Sequence, residues 1–114
     1  MALLHIAEQS DWEAAQQTGV YDRSTRGASI AQVGYLHGSA TMDQVRSVLG
    51  FVYADVTEPL VLLTLDEGEL AAHGLRVLLE PGDPQDPDSE LFPHVYGGPV
   101  PVSAVRSVEP LSRD

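Results

Sequence analysis

The run Leu60-Val61-Leu62-Leu63-Thr64-Leu65 constrains the fold of this chain more than any other segment. It is nearly all apolar, lacks glycine and is too short for a typical helix. Such a run fits a strand buried on both faces, because a half-solvated strand alternates apolar and polar residues. The rest of the chain must therefore supply apolar cover to both sides. The clearest source is a helix: Met42, Val45, Val48, Leu49 and Val52 recur at intervals of three and four, the mark of one buried face. Thr41-Met42-Asp43-Gln44 has capping-box spacing at its start.

Shorter signals fill in the order of elements. Leu3 to Ile6 reads as a first strand. Ser10-Asp11-Trp12-Glu13 repeats the capping-box spacing, with Ser10 as N-cap, and predicts a helix that stops at Gly19 with Trp12 and Ala15 inside. Residues 20 to 33 read as a connecting loop with a helical turn from Ser29 to Val33. Tyr35 to His37 is a second short strand. Asp66 to Gly74 reads as a polar turn, and Leu75 to Leu79 as another apolar strand. Pro81 to Glu90 holds three prolines and four acids, which predicts an exposed loop rather than a separate domain. A Gly97-Gly98-Pro99 turn precedes a last strand near Val105 to Glu109. The expected fold is α+β: a single small domain over residues 1–114, with a split antiparallel or mixed sheet and two main helices.

Composition excludes several classes of function. The chain has no cysteine, so thiol nucleophiles, disulfides and thiolate metal sites are absent. Its 17 acidic residues outnumber 6 basic ones, all arginine, for a net charge of −11. That charge repels phosphate backbones, so duplex nucleic acid is not an expected partner. The lack of lysine removes Schiff-base chemistry and the Walker-type phosphate grip. No apolar run approaches the roughly 20 residues of a membrane helix, so the expectation is a cytoplasmic protein without a membrane partner. The oligomeric state is left open.

Three histidines sit beside short apolar runs: His5 in the first strand, His37 in Gly34-Tyr35-Leu36-His37-Gly38-Ser39, and His94 in Phe92-Pro93-His94-Val95-Tyr96-Gly97. Burying such a ring is costly unless both nitrogens find partners, so each marks either a satisfied core position or a pocket floor. Gathered together, three neutral imidazoles could hold a divalent metal for hydrolysis. They lack the close spacing of sequence-evident ligand pairs, and no metal is expected. Arg23 and Arg26 lie on a loop and could grip pyrophosphate or a carboxylate, or simply offset surface acidity. Glu80 ends an apolar strand, where a carboxylate can accept sugar hydroxyls, steady a cationic transition state or merely face water.

The order of these pieces resembles a bacterial family known as domain of unknown function 952. The matching segments are Leu4-His5-Ile6, the Trp12 helix ending at Gly19, Gly34 to His37 with Ser39, Leu60 to Asp66, Glu80-Pro81 and Leu91 to Gly97. That family is in turn similar to the ADP-ribosyltransferase-like fold, and most of all to the cofactor-binding lobe of RNA 2′-phosphotransferases. The resemblance implies a nucleotide pocket whose cofactor is NAD, ADP-ribose or a related small molecule. His5, Tyr35, His94, Tyr96, Arg23, Arg26 and Ser39 would bind it, with Glu80 and His37 as catalytic candidates. Ile6 and Ala7 stand where the phosphotransferases carry Gly-Thr. They favour the alternative of a non-catalytic binding module on the same fold.

Overall fold

The computed structural model describes residues 2–112. In chain order it runs β1 (Ala2–Glu8), α1 (Gln9–Thr18), β2 (Val20–Tyr21), β3 (Arg23–Thr25), β4 (Ala28–Ser29), α2 (Ile30–Val33), β5 (Leu36–His37) and α3 (Met42–Phe51). Then follow β6 (Leu60–Asp66), α4 (Glu67–Ala72), β7 (Arg76–Pro81), β8 (Leu91–Tyr96), β9 (Val100–Pro101), a 3-10 turn and β10 (Val105–Leu111). This is an α+β architecture with two ten-residue helices, α1 and α3. Every strand pairing is antiparallel.

The apolar run forms β6, the centre of a three-stranded sheet ordered β1-β6-β10. Alternation sends Val61, Leu63 and Leu65 into a large core with Trp12, Ala15, Leu70 and Val95. Leu60 and Leu62 enter a second cluster with Val45, Leu49, Tyr53 and Val56. Both faces are thus dry, as the run requires, and each fully buried leucine contributes about 2–3 kcal/mol of transfer free energy. Strand β1 follows the same alternation: Leu3 and Ala7 face the large core, while Leu4 and Ile6 face α3. His5 shares its face with Leu3 and Ala7, so it points inward.

A second three-stranded sheet, β5-β8-β7, lies beyond β1. An antiparallel bridge between Leu4 and Ser39 joins the two sheets, with main-chain bonds of 2.8 and 2.7 Å. Gly38 sits at this crossing. A β-carbon there would approach Leu3 Cδ2 to 2.8 Å and the Pro93 carbonyl to 2.9 Å, so only glycine fits between β1 and β8. Leu36, Val77 and Val95 turn one face of the sheet toward the large core. Its opposite face carries the histidine-rich residues.

Several local expectations change. Ser10 is not an N-cap: β1 passes directly into α1 at Glu8, which caps without a side-chain bond. Gly19 does end that helix, in the left-handed conformation at φ 90°. Thr41 caps α3 by accepting from the Gln44 amide, but Gln44 turns its own side chain to Ala40, Glu90 and Leu91. The buried side of α3 is therefore Gln44, Val45 and Leu49, rotated from the expected face, while Met42 and Val52 are exposed. Residues 20 to 33 hold three short strands as well as α2. The expected polar turn after Asp66 is helix α4, capped by the Asp66 carboxylate on the Gly68 amide at 3.2 Å. Strand β7 is an edge, and its Leu78 and Leu79 are exposed. The 81–90 loop is exposed as expected and closed at its base by Gly82 N–H to the Glu90 carbonyl at 2.8 Å.

Candidate functional site

Register decides which residues meet on the outer face of β5-β8-β7. His37 lies opposite His94, which lies opposite Leu78; Tyr96 lies opposite Arg76, and Phe92 opposite Glu80. Because side chains alternate, Arg76, Leu78, Glu80, His94, Tyr96 and His37 share one face. Tyr35, just before β5, folds onto the same surface. Its ring stacks on His94 with centroids 4.3 Å apart and planes inclined by 25°. The His37 ring meets His94 edge-on at 5.1 Å, and Tyr96 approaches Tyr35 at 5.2 Å.

A carboxylate organises these rings. Glu80 Oε1 accepts from His94 Nδ1 at 2.8 Å and from the Tyr96 hydroxyl at 2.6 Å. An acceptor-only carboxylate makes Nδ1 the protonated nitrogen of His94, so a neutral His94 ring presents its lone pair at Nε2. Bonds from Tyr96 and then His94 hold the Glu80 carboxyl below its ordinary value. The same bond raises the Tyr96 hydroxyl to about 12. Burial, reinforced by the charge His94 can carry, lowers His37, which keeps that imidazole neutral near pH 7. Arg76 places its guanidinium 5.9 Å from the centre of the Tyr96 ring, within cation–π range.

His5 belongs to a different environment. Its Nδ1–H donates to the His37 carbonyl at 2.6 Å, and its Nε2 accepts from the Tyr21 hydroxyl at 2.8 Å. Burial lowers its pKa to about 4. Both nitrogens are occupied, so neither is available to a ribose or a metal, and the three-histidine metal set does not assemble. Among the described residues no three metal-ligating side chains are arranged so that they could hold a metal ion. On the outer face His37 is partly exposed, while His94 is buried beneath Tyr35.

The sequence-predicted residues thus divide. Tyr35, His37, Glu80, His94 and Tyr96 converge on one face. His5 lies behind that face as a core tie. Ser39 is buried at the inter-sheet bridge. His5, His37 and Ser39 line a cavity of about 30 Å³. That admits one or two waters and falls far short of the several hundred Å³ of a ligand pocket. Arg26 is held at 2.5 Å by Asp55 and at 3.0 Å by the Val52 carbonyl, and Arg23 lies beside Asp22 in a groove against α1. The arginine found at the face is Arg76. A signal for it existed, since Arg76, Leu78 and Glu80 are spaced by two within one strand. Tyr21, the partner of His5, had no such signal.

A model of a family described as "Protein of unknown function (DUF952)" matches residues 6–108. The crystal structure of protein CC0527 from Caulobacter crescentus is similar in fold, with TM-score 0.76 at 23% identity. The match covers 100% of this chain and 89% of that one. A double mutant of that protein gives the same values. No curated protein matches the chain.

Proposed function

Because this chain belongs to the DUF952 family, whose function is not known, we propose a reading from the geometry of the ring-lined face. That face binds NAD, ADP-ribose or a related nucleotide, and the two joined antiparallel sheets are a variant of the ADP-ribosyltransferase-like split sheet. The observation that carries the proposal is the single oxygen of Glu80 holding both His94 Nδ1 and the Tyr96 hydroxyl beneath the Tyr35 ring. Partly exposed Tyr35, His37 and Tyr96 offer aromatic surface to a flat base. Glu80, kept ionised, accepts ribose hydroxyls or faces the positive charge that develops on a sugar carbon as its base leaves. The C–N bond breaks with its electron pair passing to the departing ring. An incoming hydroxyl forms the new C–O bond and gives its proton to neutral His37.

Two observations favour the second reading, a binding module without catalysis. Ile6 and Ala7 are buried, and His5 is fully engaged, so this chain has no free polar group where the phosphotransferase lobe has its first motif.

Thermal denaturation with NAD or ADP-ribose tests the binding. At 100 times its dissociation constant a ligand adds about 2.7 kcal/mol, several degrees for so small a domain. The expected shift disappears in Tyr35→Ala and shrinks in Glu80→Gln. No shift at millimolar ligand would remove the nucleotide reading. A shift without release of nicotinamide from NAD would leave the binding module.

A further inference from the structure

Strand β7 is the edge of its sheet, and its exposed groups form a self-complementary pattern. The Gly38 amide bonds to the Pro93 carbonyl at 2.9 Å, so the main-chain groups of Pro93 face β5. In an antiparallel ladder the neighbours of such a residue point the other way, so Phe92, His94 and Tyr96 face β7. They meet Glu80, Leu78 and Arg76 in register. Gly82 N–H to the Glu90 carbonyl continues the same alternation. Arg76, Leu78 and Glu80 therefore spend their N–H and C=O groups inward. Val77 and Leu79 direct theirs outward, where no described strand covers them.

The usable edge is bounded on both sides. Pro81 has no N–H to offer, and the Leu75 amide is taken by the Leu70 carbonyl at 2.9 Å. Natural edges are commonly guarded by lysine, inward charges or bulges. This chain has no lysine, and Leu78 and Leu79 stand 39% and 60% exposed on the edge.

We propose that β7 pairs with β7 of a second copy of this chain, antiparallel and centred on Leu78, joining two three-stranded sheets into one of six. In that register Val77 lies opposite Leu79 of the second copy. Two such pairs exchange all four outward N–H groups with outward carbonyls. Arg76 falls opposite Glu80 of the second copy, twice by symmetry, and opposite charges placed so stabilise the pair. Charge selects this register. Centring on Val77 calls on the occupied Leu75 amide, and centring on Leu79 sets Glu80 against Leu78 and leaves Arg76 unmatched. The interface is isologous and closes, as a two-fold dimer requires. It also gives the ring-lined face a cation from the neighbouring copy, Arg76 of the second copy beside Glu80. The pairing itself does not depend on the nucleotide reading.

Light scattering and sedimentation equilibrium on the full chain test this, up to roughly 100 µM because strand-edge interfaces are small. Salt near 0.15 M is suitable, where a Debye length of about 8 Å damps repulsion between two acidic copies. The expected mass is twice the 12.3 kDa of one chain. Leu79→Pro removes an outward N–H without touching the β7-β8 ladder, and it should give a folded monomer with an unchanged circular dichroism spectrum. Arg76→Glu, which sets acid against acid, should weaken association at least tenfold. A monomeric wild-type chain at the highest concentration would overturn the proposal. So would a dimer that persists in both variants, which would place the interface elsewhere, for instance at the other sheet edge, β10.

Discussion

His5 and His94 are equally buried, each 3% exposed, yet they lie in opposite electrostatic surroundings. His5 lies between a neutral carbonyl and a neutral hydroxyl, both inside the core. Those partners satisfy the neutral ring and offer a charged one no counter-charge, so desolvation governs and the ring resists charging. His94 leans instead on the Glu80 carboxylate, an anionic partner at the margin of the face. Burial alone does not separate these two histidines. The charge of the partner does.

Replacing His5 should have the largest effect. His5→Ala leaves the Tyr21 hydroxyl and the His37 carbonyl unpaired beside a void, a loss of about 3 kcal/mol or more. Calorimetry or a circular dichroism melt should show a fall of about 10 °C or more for a domain of this size. A loss below about 1 kcal/mol would erase the distinction between the two histidines.

Acid titration comes next. His5 has a folded pKa of about 4 against an ordinary value of 6.5, so between these values the unfolded chain binds the extra proton. Stability from this group is complete above pH 6.5 and is lost as pH falls toward 4, by about 3 kcal/mol in all. His37, also lowered, slopes in the same direction. Glu80 acts in a lower window: its depressed carboxyl contributes above its ordinary 4.5, and that contribution is lost as pH drops through the folded value. Urea midpoints measured along the pH axis should show a shallower upper slope in His5→Asn and a shallower lower slope in Glu80→Gln. The same slope lost in both variants would mean the two regions titrate as one.

Glu80→Gln should be milder than loss of His5, at about 1.5–3 kcal/mol, because the amide oxygen can still accept from one neighbour. In that variant the Tyr96 hydroxyl should drop from about 12 toward 10, read by tyrosinate absorbance. The smallest change is Tyr96→Phe, about 1 kcal/mol, since Glu80 keeps His94. It should leave the upper acid slope untouched.

What could be read from the chain was what depends on near neighbours. The β6 run announced burial on both faces because its composition admits no wet side. Gly19 and Thr41 announced a helix end and a helix start because capping is chemistry within one turn. Even the direction of His5 was implicit, since Leu3, His5 and Ala7 share a parity. Misread elements failed where distant chain intervened: Gln44 is buried because Glu90 and Leu91 come to it, while Met42 lines an open groove and stays exposed.

The sequence by itself determined the α+β class, the doubly covered central strand, the family and the histidine-bearing segments, all carried by local pattern. Tertiary structure alone decided that His5 serves the core while His94 joins Glu80, that Arg76 rather than Arg23 or Arg26 reaches the ring-lined face, and that β7 ends its sheet with leucines exposed. The reason is register. Which residues stand opposite one another across strands far apart in the chain is set by how whole sheets pair and pack, and no window of neighbouring residues contains that information.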